Sequence, residues 1–275
     1  MEIGVMFWAG ADPIETIRQV KSTGVRCGQL GIPPEMPLTG AAPLLRAALV
    51  REEFTIVTVF AAYAGESYAD IPTVQRTVGF IPPATRQERE QRTLEISDFA
   101  AALGVASIAC HVGFIPELAT HPDYIAVREM VRRVADHAAR NGQTFALETG
   151  QEPAPALLRF LQDVDRPNLR INFDPANMIL YGTGDPIEAL RVLADYVVSV
   201  HCKDGDWPVA AGSLGAERPL GEGSVGIARF IATLQELGYR GTLNVESGVH
   251  DQEQHWHDIA AAVNMLRRLT DQLPQ

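Results

Sequence analysis

Apolar and polar positions alternate between two regimes along the chain. Short β-rich runs recur at Ile3–Trp8, Arg26–Gly31, Phe54–Ala61, Val105–Val112, Thr144–Thr149, Leu169–Asp174, Val197–Cys202 and Gly241–Glu246. Longer segments with helical spacing separate them. Ile227, Phe230, Ile231, Leu234 and Leu237 lie at i, i+3, i+4, i+7 and i+10, one amphipathic face, with Ser224 as a candidate cap and Gly238 as the stop. Asp12-Pro13 and Asp185-Pro186 each place a capping carboxylate before a proline that suits the first helical turn. A further helix over Pro122–Asn141 stops at Gly142. Eight such βα units in 275 residues predict a single-domain α/β protein, a (β/α)8 barrel spanning residues 1–275. The open doubly wound sheet is the rival. It would carry a glycine-rich turn after its first strand, where this chain has Ala9-Gly10-Ala11-Asp12. Two connections, Ala62–Pro83 and Lys203–Gly223, are long and are expected to form the substrate mouth.

The period-two pattern of the last four strands carries the chemistry. In Phe145-Ala146-Leu147-Glu148, Ile171-Asn172-Phe173-Asp174, Val198-Ser199-Val200-His201 and Leu243-Asn244-Val245-Glu246, the large apolar residues share one parity. The other parity holds a small or polar residue and then a metal-competent one. If that parity faces the barrel interior, Glu148, Asp174, His201 and Glu246 converge at its C-terminal rim. Burying such charges uncompensated costs several kcal/mol per ion. One divalent cation removes the conflict, and oxygen plus imidazole donors without thiolate suit Mn²⁺, Mg²⁺, Co²⁺ or Zn²⁺.

Two further residues share that rim by parity: His111 ends the fourth strand, and Lys203 follows His201 by two; Trp8 ends the first strand as a candidate wall for a sugar face. Composition narrows the partners. The formal net charge of −11 opposes a broad grip on nucleic acid, and no apolar run reaches the length of a membrane span. The first ten residues lack a basic segment and read as a strand, so a secretory signal is not expected. Cys27, Cys110 and Cys202 have no metal-type spacing and fit a reducing cytoplasm.

Taken together, Ala146-Leu147-Glu148-Thr149, Asn172-Phe173-Asp174-Pro175-Ala176-Asn177, Val200-His201-Cys202-Lys203-Asp204, Pro219-Leu220-Gly221-Glu222-Gly223 and Leu243-Asn244-Val245-Glu246 resemble the sugar phosphate isomerase/epimerase group of xylose isomerase-like TIM barrels. The resemblance implies that Glu148, Asp174, His201 and Glu246 hold one divalent metal. It also implies that Glu148 and Glu246 act as acid and base on either face of a carbon beside a carbonyl, through an enediolate. It places Arg218 on substrate from its loop. Asn177 stands where many ketose epimerases carry histidine. It retains hydrogen bonding to substrate and loses an imidazole acid, so a keto-sugar or keto-glycoside lyase or dehydratase, like the inosose dehydratases, is the alternative.

An abasic-site endonuclease shares the barrel, but it needs more histidines than this chain supplies and fits the net charge poorly. A non-catalytic sugar-binding protein is the remaining reading. The expected partner is a small carbohydrate, and a homodimer or homotetramer is implied by the resemblance. Gly221-Glu222-Gly223 is too short for a phosphate signature and reads as a turn. His250, His255 and His257 lie beyond the last strand without metal-type spacing and read as a solvated or oligomer-facing segment.

Overall fold

The computed structural model describes residues 1–210, 212–249 and 251–272. Eight parallel strands close into a barrel: β1 (Glu2–Trp8), β2 (Cys27–Ile32), β3 (Thr55–Ala61), β4 (Ser107–Cys110), β5 (Thr144–Glu148), β6 (Leu169–Phe173), β7 (Val197–Cys202) and β10 (Thr242–Val245). Their order around the barrel is β1-β10-β7-β6-β5-β4-β3-β2. Helices follow the strands as the periodicity predicts. Asp12 caps α1 (Pro13–Lys21), accepting from the Ile14 and Glu15 amides, and Asp185 caps α8 (Pro186–Leu193) in the same way.

The period-two reading holds in detail. Phe145, Leu147, Ile171, Phe173, Val200, Cys202, Leu243 and Val245 are buried on the outer face of the barrel, under the helices. Phe173 stacks on Phe230 of α9 (Ile227–Glu236) at a centroid distance of 5.9 Å. Full burial of an aromatic side chain of this kind contributes about 1.5–3 kcal/mol. The opposite parity fills the barrel. One side is apolar, with Met6, Phe60, Ala109 and Ala146 in mutual contact. The other side is polar, with Gln29, Asn172, Ser199 and Asn244 all buried.

Three local expectations change. The connection after β3 contains a short helix, α3 (Ile71–Thr77), opened by Asp70. The connection after β7 contains a two-stranded antiparallel hairpin, β8 (Asp204–Asp206) and β9 (Ala216–Arg218). Ser224 does not cap α9: Gly226, in the left-handed region, precedes that helix, and the Ser224 hydroxyl turns to Asp206 Oδ1 at 3.3 Å.

The Gly221-Glu222-Gly223 segment is a turn, and its amides are already occupied. Asp204 Oδ2 accepts from Gly221 and Gly223, and its Oδ1 accepts from Gly205 and Val225. Those donors are therefore unavailable to a phosphate. The three cysteines are free and buried. Among the described residues, no helix is long and apolar enough to cross a membrane.

Candidate metal centre and active site

Four consecutive staves supply the centre. Glu148 ends β5, Asp174 follows β6, His201 lies in β7 and Glu246 follows β10. One ligand atom from each lies within 4.8 Å of all the others. His201 Nδ1 is the hub, 2.9 Å from Glu148 Oε1, 2.9 Å from Glu246 Oε2 and 3.6 Å from Asp174 Oδ2. The pairing that aligns them is regular: Asn244 sits beside His201, and the Glu246 amide continues the ladder to the Cys202 carbonyl.

Asp174 serves two structures at once. Its Oδ1 caps the seven-residue helix α7 (Pro175–Tyr181) by accepting the Asn177 amide at 3.0 Å. Its Oδ2 is buried and has no hydrogen-bond partner. An orphaned carboxylate oxygen facing two more carboxylates and an imidazole is a donor set that fits a divalent cation.

Both glutamates have cationic support of their own. His111 Nε2 lies 2.7 Å from Glu148 Oε2, and Lys203 Nζ lies 3.4 Å from Glu246 Oε2. Burial opposes ionisation of Glu148, but His111 and His201 outweigh it and hold the carboxyl below its ordinary range. Burial likewise opposes ionisation of Glu246, and Lys203 and His201 pull it well down. Asp174 is raised, chiefly by burial. His201 is pushed well up because Glu246 and Glu148 outweigh its own desolvation.

The remaining candidates fall into place unevenly. A cavity of about 360 Å³ opens over the centre, lined by His111, Glu148, Asn177, His201, Lys203 and Glu246 on its polar side. Met6, Trp8, Phe60, Tyr68, Leu180 and Leu214 form an apolar side. Trp8 lies over Gly31, where a Cβ would come within 2.5 Å of the indole. Asn177 Nδ2 donates to Glu148 Oε1 at 3.2 Å. Gly150, at φ +150°, lets Asn177 approach: a Cβ there would lie 2.4 Å from the Asn177 Cβ.

Arg218 sits apart from this cavity: its Nε donates to Asp206 Oδ2 at 2.6 Å, its side chain is half exposed, and it lines a smaller neighbouring cavity of about 130 Å³ with Lys203, Glu217 and Glu246. Adjacent residues of β9 face opposite sides, so Glu217 turns inward instead, 3.9 Å from Lys203 Nζ. His255 and His257 lie in the first turns of α10 (Gln252–Asp271) and do not line the cavity, and His250 lies outside the described residues.

Glu152 is a buried carboxyl beside the site that spacing did not single out. Its Oε1 accepts the Ile115 amide at 2.7 Å. Burial pushes it up to about 8, against the lowering by that amide and by His111. The folded protein therefore keeps a proton that the unfolded chain has released, and folding stability falls as pH rises from about 4.5 to about 8. Glu152→Gln, which keeps the acceptor, is expected to match the parent Tm near pH 5. It should exceed it by several degrees near pH 8.5, the yield of a few kcal/mol in a domain of this size. Superimposable Tm–pH curves would contradict this.

Comparison with known proteins agrees with the geometry. The sequence profile of the xylose isomerase-like TIM barrel family matches residues 17–269. A xylose isomerase domain protein from Planctomyces limnophilus is 44% identical, with 98% of this chain and 97% of that chain covered and a TM-score of 0.94. A xylose isomerase-like TIM barrel protein from Mycobacterium smegmatis, solved in complex with magnesium, shares the fold at a TM-score of 0.73 and 18% identity, covering 98% and 96%. An L-ribulose 3-epimerase from Methylomonas sp. is 26% identical over 180 residues, 60% of this chain and 58% of the relative. The chain spans about 60% of the length of the curated relatives it matches. Barrel order, the cluster of candidate metal-binding residues at the C-terminal rim and the profile match agree: the chain belongs to the xylose isomerase-like TIM barrel family.

Proposed function

We propose that the protein is a divalent-metal-dependent sugar isomerase or epimerase that moves a proton at a carbon beside a carbonyl, with Glu148 and Glu246 as the acid–base pair. The observation that carries this reading is the arrangement of the arc. Asp174 and His201 lie between the two glutamates around the rim, so the carboxylates approach a bound substrate from its two sides. Held by Glu148, Asp174, His201 and Glu246, a divalent ion supplies Lewis-acid stabilisation of negative charge developing on substrate oxygens.

The chain's own residues do the rest. One glutamate, ionised as its cationic neighbours require, takes the proton from carbon. The other, protonated in the same cycle, returns a proton to the opposite face. The skeleton is unchanged, and the two carboxyls end with their protonation exchanged. His111 and Lys203 hold the two carboxylates in position, and Asn177 holds Glu148 from the side. The apolar wall with Trp8 and Phe60 suits the C–H face of a sugar.

The test is ¹H NMR of candidate ketoses in heavy water with protein loaded with Mn²⁺, Mg²⁺, Co²⁺ or Zn²⁺. The expected result is one deuterium on an intact skeleton. Absence of exchange with every ketose, inosose and 3-keto-glucoside under all four metals removes the reading.

One observation favours a lyase as the second reading. Lys203 Nζ lies inside the cavity, beside Glu246, Asp174, Glu217 and Asn177. Elimination, like epimerisation, uses one base and one acid, which the two glutamates supply; the Lys203 ammonium adds a hydrogen-bond donor for the oxygen of a departing hydroxyl or aglycone. The same spectra distinguish the two, since elimination loses water or the aglycone.

A further inference from the structure

We propose that Gln29 is a positioning residue that fixes the tautomer of His201, protonated on Nε2 with the Nδ1 lone pair presented to the cation. This rests on the metal site proposed above. Gln29 lies in β2, whose six residues are all buried, and it reaches His201 across the barrel interior. It does not line the substrate cavity.

Its amide is oriented from below. Asn172 Oδ1 accepts from Ser199 Oγ at 2.6 Å and from Gln29 Nε2 at 2.9 Å. With Nε2 committed there, Gln29 Oε1 faces His201 Nε2 at 2.7 Å. An acceptor at that distance requires an N–H opposite it. The other ring nitrogen, Nδ1, meets only carboxylate oxygens, those of Glu148, Glu246 and Asp174. In the metal-free chain those acceptors hold a proton on Nδ1 as well; it is the nitrogen left for the cation, which displaces that proton while Gln29 keeps the one on Nε2.

Gln29, Asn172 and Ser199 thus come from three strands and set one ring, all of them essentially without solvent exposure. Partners of this kind, acting through a ligating histidine, typically change metal affinity by about 10–100-fold when removed. A central glutamine in a fully buried strand was the signal available in the sequence; spacing on the ligand strands alone did not reach it.

Two variants and one spectrum test this. Gln29→Leu removes the acceptor at similar volume, and Gln29→Glu keeps it. Zn²⁺ titration of the folded proteins by calorimetry is expected to show affinity about 10–100-fold lower for Gln29→Leu and no lower than the parent for Gln29→Glu. In Zn²⁺-loaded parent protein, ¹⁵N NMR should show a one-bond N–H coupling on His201 Nε2 and none on Nδ1. That spectrum decides the matter even if Gln29→Leu does not fold. Equal Zn²⁺ affinity in parent and Gln29→Leu, or a proton on Nδ1, overturns the role of Gln29 and leaves the metal site standing. Failure of the parent to bind Zn²⁺, Mn²⁺, Mg²⁺ or Co²⁺ overturns the metal site and this role together.

Discussion

Glu148→Gln and Glu246→Gln are each expected to lower the rate of substrate conversion by about 10²–10⁴-fold, the usual contribution of a positioned acid or base. The substitution is nearly isosteric. It keeps an oxygen toward the ligand arc and removes the group that carries the proton. The two variants should fail differently. Each retains one carboxylate, and that carboxylate still serves one face of the reacting carbon. With Glu148 replaced, the epimer whose C–H faces Glu246 should go on exchanging its proton with heavy water without converting; with Glu246 replaced, the other epimer should. Exchange of both epimers in either variant would show that one carboxylate serves both faces, and the opposed-pair mechanism would fall. The variants also test the electrostatics. Glu148→Gln leaves His111 without the anion that raises its pKa, so His111 should titrate at lower pH in that variant, measured by NMR of its ring protons.

Cation binding should have the largest effect on stability. In the metal-free chain, Asp174 Oδ2 is buried without a hydrogen-bond partner and three carboxylates crowd one imidazole. A ligand that binds the folded state alone stabilises it by about 2.7 kcal/mol at one hundred times Kd. In a domain of this size that is about 5–10 °C in Tm. Calorimetric scans before and after exhaustive chelation should show that difference, and Asp174→Asn together with His201→Ala should abolish it.

The affinity should depend on pH with a definite sign. Burial opposes the charge on His201, but Glu246 and Glu148 raise its pKa well above the ordinary histidine value. Below that raised pKa a proton occupies the ring and the cation must displace it. Apparent affinity therefore rises with pH through neutrality, up to about tenfold per unit for one displaced proton. Affinity that is flat between about pH 6 and pH 8 would mean that His201 is not a ligand, or that the metal-free imidazole is already neutral.

Much of the arrangement is legible in the sequence because barrel geometry turns parity into position. Once strands such as Phe145-Ala146-Leu147-Glu148 are recognised, burial of the apolar parity under helices forces Glu148 inward, and the same holds for Asp174, His201 and Glu246. His111 and Lys203 followed from the same rule and line the cavity.

The rule stops where the strands stop. Arg218 was placed by likeness of its loop; in the antiparallel hairpin neighbouring residues face apart, so Glu217 enters the larger cavity and Arg218 lines the smaller one beside it. Ser224 has the right chemistry for a cap and sits two residues too early, because the turn tied down by Asp204 sets the helix start at Gly226. Gln29, and the contact by which Asn172 holds it, escaped notice for another reason. The partners of Gln29 lie across the barrel, at sequence separations that no local pattern encodes.

The barrel divides its labour between two stretches of the chain. The four candidate metal-binding residues lie in or just after β5, β6, β7 and β10, whereas Met6, Trp8, Phe60 and Tyr68 come from β1, β3 and the loop that follows β3, with Leu180 and Leu214 completing the apolar side from later segments. On the proposed function, reactivity therefore rests on the later segments and admission largely on the earlier ones. On that same reading, exchange of the amino-terminal wall for that of a related barrel should alter which sugar is accepted while leaving cation affinity at the four candidate ligands unchanged.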